Sequence, residues 1–381
     1  MVAIMFPPPP AAPEAERLRG EIREFLAGEL RGRSARARAG SWGSRDPEFS
    51  RKMGTRGWIG MTWPKHYGGH ERTALERYVV LEEVLAAGAP MGAHWVADRQ
   101  SGPLLLRFGS EEQRQAILPR IAAGECYFCI GMSEPDSGSD LAATRTRAVA
   151  VQGGFLVNGT KIWTSNAHQC HYVILFCRTE LATGADRHAG MSQFLVDLSL
   201  PGITIRPIRD LTGEHHFNEV VFEDVFLPAS TLIGELGAGW RQVTSELAYE
   251  RSGPERFLST YVLLVELLRA LGSQPSERAA IAAGRLTSHI IILRRLSRSV
   301  AGMLQAGEDP ALQAALVKDL GTTLEQEIPE VARLLIESGL RPRDSYDAVL
   351  AHAVMRAPSF SIRGGTREIL RGIVARGLGV R

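Results

Sequence analysis

The hydrophobic period changes twice along this chain, and that limits the possible folds more than any other feature. From about Glu14 to Glu125 apolar residues recur at helical spacing. Glu16 to Leu30 is amphipathic, Leu75 to Ala87 repeats with a helical period, and Ser110-Glu111-Glu112-Gln113 has the form of a capped helix start. Between Tyr127 and about Ile233 the period drops to two, in short runs such as Val173 to Phe176, Phe194 to Val196, Ile203 to Ile205 and Val220 to Phe222. From Gly237 onward the chain is helical again. This order predicts an α+β multidomain protein: an N-terminal α-helical domain over 1–126, a middle antiparallel β-sheet or barrel domain over 127–235, and a C-terminal α-helical bundle over 236–381. A chain of 381 residues with 44% hydrophobic content is long enough to bury such a core.

The β segment opens with the loop Gly131-Met132-Ser133-Glu134-Pro135-Asp136-Ser137-Gly138-Ser139-Asp140-Leu141. Its turn formers expose backbone N–H groups and hydroxyls, which suits either a plain turn or a loop wrapped around a polar, anionic ligand. A hairpin is expected next. Gly153-Gly154 begins a strand through Phe155, Leu156 and Val157, Asn158-Gly159 is a two-residue turn signal, and Lys161 to Thr164 returns. Trp163 then lies on a strand facing the loop, as a core residue or as a stacking surface.

A net charge of +2 and the absence of a long basic block argue against nucleic acid as a partner, and the Arg31 to Arg38 stretch is short enough to be a solvated face. Met1 to Phe6 lacks a basic leader and runs into Pro7-Pro8-Pro9-Pro10, so a frayed, extended start, no membrane span and a cytoplasmic location are expected. Cys126-Tyr127-Phe128-Cys129 has CxxC spacing without a second pair or a nearby histidine cluster, so structural burial is expected there and at Cys170 and Cys177, with no metal.

The Ser133 loop, followed by Asn158-Gly159-Thr160-Lys161-Ile162-Trp163-Thr164-Ser165-Asn166, resembles the flavin-binding middle segment of the acyl-CoA dehydrogenase family. Two further stretches are similar to that family. They are Gly57 with Trp58 to Gly69, and the closing strand pair Phe217-Asn218-Glu219-Val220-Val221-Phe222-Glu223-Asp224-Val225-Phe226-Leu227-Pro228. The resemblance covers the whole helix, sheet, helix order. It implies FAD as cofactor, an acyl-CoA thioester as substrate, and α,β-dehydrogenation to the trans-2-enoyl product, with an electron-transfer flavoprotein as acceptor. It maps flavin contacts onto Met132, Ser133, Trp163 and Ser165, a phosphate-side contact onto Ser139, and a further cofactor contact onto Thr366.

That chemistry needs a carboxylate to remove the α-proton and hydrogen-bond donors at the thioester oxygen. In many family members the base lies near the C-terminus, but the matching segment Ile362-Arg363-Gly364-Gly365-Thr366 has Gly364 at that position. Members resembling the isovaleryl- and long-chain-type enzymes carry the base on the first helix of the C-terminal domain, before an Arg. Ser245-Glu246-Leu247-Ala248-Tyr249-Glu250-Arg251 matches that pattern, which implies Glu250 as the base and Tyr249 and Arg251 at the substrate. Gly364 keeps the N–H that in the family donates to the thioester carbonyl. Glu246, one turn back, and Glu368, displaced from the family position, are the alternatives. Pro254 lacks an N–H, so the helix should break near it, with Ser252 and Glu255 forming a capping box. Read without the resemblance, Glu250 is a surface carboxylate paired with Arg251 or Arg256.

The resemblance stops at the adenine half of FAD. The family's Arg-x-x-Phe-Gly and Gln-x-x-Gly-Gly motifs, which serve a neighbouring subunit, are replaced here by Leu271-Gly272-Ser273-Gln274-Pro275-Ser276-Glu277-Arg278 and by Leu334 to Asp344. This chain is therefore expected to be the base-bearing half of a heterotetramer, or else a homo-oligomer, a dimer of dimers, that holds the adenine with other residues such as Arg278 or Arg285. Two further readings keep the fold: an acyl-CoA oxidase or flavin monooxygenase relative, and a non-catalytic partner subunit. No spacing rule converts Trp95, Tyr249 and Tyr261 into an acyl chain length, so the acyl group is left open.

Overall fold

The computed structural model describes residues 4–41, 43–180, 186–250, 253–337 and 344–380. The helices α1 (Pro13–Glu29), α2 (Ala35–Ala39), α3 (Pro47–Thr55), α4 (Ala74–Ala87), α5 (Gly102–Phe108) and α6 (Glu111–Ala122) come first. The strands follow: β1 (Phe128–Gly131), β2 (Arg147–Val151), β3 (Gly154–Ser165), β4 (Tyr172–Arg178), β5 (Met191–Asp197), β6 (Ile203–Arg209) and β7 (His215–Pro228). The chain then returns to helix in α7 (Gly239–Glu250), α8 (Tyr261–Leu271), α9 (Glu277–Gln305), α10 (Ala311–Glu337), α11 (Asp344–Phe360) and α12 (Arg367–Gly377). Two compact units interleave along the sequence, one made of Met1–Arg45, Arg72–Met91 and Ala248–Arg381, the other of Asp46–Glu71 and Gly92–Leu247.

In the helical unit, α4 is buried almost all round, as a central helix is, and it packs on α1 and α9. Its start is fixed by a capping box: the Glu76 N–H donates to Thr73 Oγ1 at 3.1 Å and the Thr73 N–H donates to the Glu76 carboxylate at 2.8 Å. The buried carboxylates Glu82 and Glu83 sit on the same helix. Arg294 of α9 makes a two-pronged contact with Glu82 at 2.6 and 3.0 Å, and Arg19 and Arg23 of α1 reach Glu82 and Glu83 at 2.8 and 2.7 Å. The proline-rich start is not frayed where it is described. Phe6 packs against Val300, Ala314 and Val317, and Ser299 Oγ donates to the Pro7 carbonyl at 2.6 Å.

In the other unit the sheet runs β1-β4-β2-β3-β7-β6, with β5 paired to β4. It is mixed rather than wholly antiparallel, because β1 and β2 both pair with β4 in parallel. Its inner face is a continuous apolar core that includes Val157, Val173, Leu175, Phe194, Val220, Phe222 and Val225. The expected turn at Asn158-Gly159 is not made: β3 continues through it, with a slip in its register against β7 between Val157 and Gly159, and the reversal is at Gln152-Gly153 between β2 and β3. Asn158 spends its side chain across the sheet instead, donating to Asp224 Oδ1 and accepting the Asp224 N–H, both at 2.9 Å. Gly159 is needed because a Cβ there would lie 2.5 Å from the Thr146 hydroxyl. All four cysteines are free thiols, and burial pushes Cys126 up to about 11 and Cys177 up to about 12.

Candidate functional site

The loop after β1 is held from below by a buried charge. Lys161 lies on β3 with its side chain fully buried, and its Nζ donates to the Met132 carbonyl at 3.0 Å, to Glu134 Oε1 at 2.8 Å and to Thr144 Oγ1 at 3.1 Å. Glu134 also accepts the Thr144 hydroxyl at 2.9 Å and the N–H groups of Arg145 and Thr146 at 2.7 and 2.9 Å. Burial raises the Glu134 carboxyl, but the Lys161 charge and the Thr146 hydrogen bonds outweigh it and bring it down to about 2. Burial likewise lowers the Lys161 ammonium, with Glu134 opposing.

The strand next to this pair is bulged. The β3–β7 register slips between Lys161 and Thr164, and Trp163 in the slip adopts φ +59°, a left-handed conformation that costs an aromatic residue energy. The bulge turns the indole outward: Trp163 is 54% exposed, which leaves a ring face open, while Phe217 meets it edge-on at 5.7 Å between centroids. The Ile162 N–H donates to the Ser133 carbonyl at 2.9 Å, so the loop and the bulge form one patch.

Met132 and Ser133 lie on the loop and Trp163 and Ser165 on β3, with Met132, Ser133 and Ser165 half-buried. Ser139 is exposed on the same loop. The geometry of the patch suits a flat, aromatic, polar-edged group: an open indole face beside half-buried hydroxyls, on backbone fixed by internal hydrogen bonds.

The remaining sequence-derived positions belong to the helical unit. Glu250 is the last residue of α7, and Tyr249 precedes it, both described as helical backbone, whereas Arg251 and Ser252 lie outside the described residues. The expected break after them is present. A 3₁₀ turn over Pro254–Arg256 begins from Gly253, and Glu255 and Arg256 are buried; the expected capping box rests on Ser252, outside the described residues. Gly364 and Gly365 adopt φ +62° and +94° ahead of α12, where an L side chain is strained, which matches a site that carries no Glu. Thr366 is half-buried and caps α12, its hydroxyl facing the Ile369 N–H at 3.5 Å.

The sequence reading passed over the groups that support these loops. Besides Lys161 and Glu134, α10 holds the Gly364-Gly365 turn through Arg363 to Glu325 at 3.0 Å and Arg367 to Asp319 at 2.8 Å. One signal was present for Lys161: a lysine in phase, at a period of two, with the apolar Phe155 and Val157 of the same strand.

Comparison with known proteins agrees with this picture. The family models described as acyl-CoA dehydrogenase, N-terminal domain and middle domain match residues 12–125 and 129–225. Acyl-CoA dehydrogenase FadE26 of Mycobacterium tuberculosis is 32% identical over 96% of this chain and 97% of its own length. FadE34 of the same organism is also 32% identical, over 86% of this chain, which spans 46% of that relative's length. Among solved structures, a chain of the Tcur3481-Tcur3483 steroid ACAD superposes with a TM-score of 0.85 at 28% identity, covering 99% of both chains. A chain of the ChsE4-ChsE5 complex from Mycobacterium tuberculosis gives 0.84 at 29% identity, covering 98% of this chain and 99% of its own.

Proposed function

The chain belongs to the acyl-CoA dehydrogenase family, and from that membership we propose that it is the base-bearing chain of an FAD-dependent enzyme that converts an acyl-CoA thioester to its trans-2-enoyl form. The observation that carries this reading is the bulge at Trp163, a strained and outward-turned indole beside a loop whose backbone is pinned from within. Strain of this kind is held where a surface has a ligand to meet. Met132, Ser133, Trp163 and Ser165 would hold the flavin ring, and Ser139 and Thr366 would lie along the rest of the cofactor. FAD, when bound, supplies the two-electron oxidation by accepting hydride from the substrate β-carbon.

The chain's own residues do the proton chemistry. Glu250 takes the α-proton, which the thioester carbonyl acidifies, and the Gly364 N–H holds the thioester oxygen as negative charge builds there. Tyr249 and Arg251, the sequence neighbours of the base, would meet the acyl group by the family resemblance. An electron-transfer flavoprotein would accept the electrons, in keeping with a cytoplasmic enzyme; among the described residues no helix is long and apolar enough to cross a membrane.

We further propose a heteromeric assembly and retain the division at 126 and 235 as its domain plan. Support comes from the absent Arg-x-x-Phe-Gly and Gln-x-x-Gly-Gly motifs together with the likeness to chains of two complexes that carry paired names. The test is the visible flavin spectrum of the purified chain, alone and co-produced with a candidate partner, before and after anaerobic addition of straight-chain, branched and steroid side-chain acyl-CoAs. Flavin that bleaches with one thioester supports the dehydrogenase, and full flavin content in the chain made alone removes the need for a partner. A chain that carries no flavin in either form overturns both readings.

A further inference from the structure

We propose that the buried Lys161–Glu134 pair is a positioning device for the cofactor loop, setting the Met132–Ser133 peptide so that the Ser133 N–H and hydroxyl face the flavin; this rests on the reading that the loop binds FAD. The described backbone contains no cis peptide bond, and in a trans peptide the N–H points opposite to the preceding C=O. Lys161 draws the Met132 carbonyl inward at 3.0 Å, so the Ser133 N–H is turned away from the sheet. The next carbonyl, of Ser133, is drawn to the Ile162 N–H at 2.9 Å, and the Glu134 N–H then closes on the Ser137 carbonyl at 2.7 Å. Two successive peptide planes are thereby fixed, and the first depends on a side chain.

Stability alone gives little reason for this pair. A buried ion pair loses much of its attraction to desolvation, and apolar residues of similar volume hold a core as well or better. What an apolar residue cannot do is reach from β3 to the Met132 carbonyl and donate to it. Glu134 in turn keeps the ammonium charged and central, since its carboxylate is anchored by the Thr144 hydroxyl and by the N–H groups of Arg145 and Thr146.

The test compares the unmodified protein with Glu134→Gln/Lys161→Met, produced with whatever partner the unmodified chain needs to carry FAD. Three quantities are read: the thermal midpoint of the flavin-stripped protein, the FAD dissociation constant, and the shape of the visible flavin band. The expected result is a midpoint within about 5 °C of the original, FAD binding weakened on the order of tenfold, the scale on which outer supports affect a bound group, and a shifted flavin band. FAD bound as tightly and with the same spectrum overturns the proposal and leaves the flavin reading standing. If the double variant does not fold, Thr144→Val decides, because it removes one hydroxyl from between the two charges. FAD binding weakened about threefold supports the device, and unchanged binding overturns it. An unmodified protein that takes up no FAD overturns the flavin reading and this proposal with it.

Discussion

The ammonium group of Lys318, fully buried on α10, donates to the carbonyl oxygen of Gly365 at 2.7 Å. It fixes the Gly365–Thr366 peptide, two along from the one that carries the Gly364 N–H assigned to the thioester oxygen. Lys318→Met should cost about 1–3 kcal/mol of stability by leaving that carbonyl unpaired. It should also slow flavin bleaching by the preferred acyl-CoA. Denaturant unfolding and anaerobic stopped-flow measure the two effects, and an unchanged bleaching rate would show that the turn does not need this donor.

Glu250→Gln should leave FAD content intact and lower the bleaching rate by about 10²- to 10⁴-fold, the usual contribution of a positioned base. Glu246→Gln, one turn earlier on α7, should change it little. If the two variants exchange these results, the base is Glu246.

In the helical unit, Glu82→Ala should remove about 1.5–3 kcal/mol, because Arg294, partly open to solvent, and Arg19, which keeps Glu16 and Glu83, would each lose a carboxylate partner. The measurement is a urea midpoint. A loss below about 1 kcal/mol would place the network among surface-like pairs.

Acid should destabilise the protein through His94. Its ring is buried, with Nδ1 2.7 Å from Ser50 Oγ, and burial lowers it from 6.5 to about 4, with Asp98 opposing. The unfolded imidazole takes a proton near 6.5, whereas the folded one waits until about 4. Stability present above 6.5 is therefore lost as pH falls across that window, on the order of 3 kcal/mol in all. Urea unfolding between pH 7 and 4 should show the slope, and His94→Asn should flatten it while lowering stability at neutral pH.

Most of the fold was legible because burial has a period. The helix over 75–87, the capped start at Ser110, the short strands and the return to helix after Gly237 each announce themselves in the local sequence. The errors came where a local signal met a distant partner. Asn158-Gly159 has the composition of a turn, but Asp224, 66 residues away, engages the Asn side chain and the strand continues past it. The supports of the site were hidden for the same reason, since Lys161 and Glu134 stand 27 residues apart and Lys318 and Gly365 stand 47 apart. The left-handed backbone of Trp163 had no local cue either, because the register slip against β7 creates it.

Arg294 follows Glu82 by 212 residues, and this separation bears on how the protein is made. When α1 and α4 leave the ribosome, Arg19 and Arg23 are the arginines of the network already present, and two carboxylates on α4 await a third. The sheet unit faces no such delay, since all of its residues precede 248. Synthesis thus delivers a complete sheet while the helical unit still lacks one wall, and the N-terminal helices reach their final burial after most of the chain has been translated.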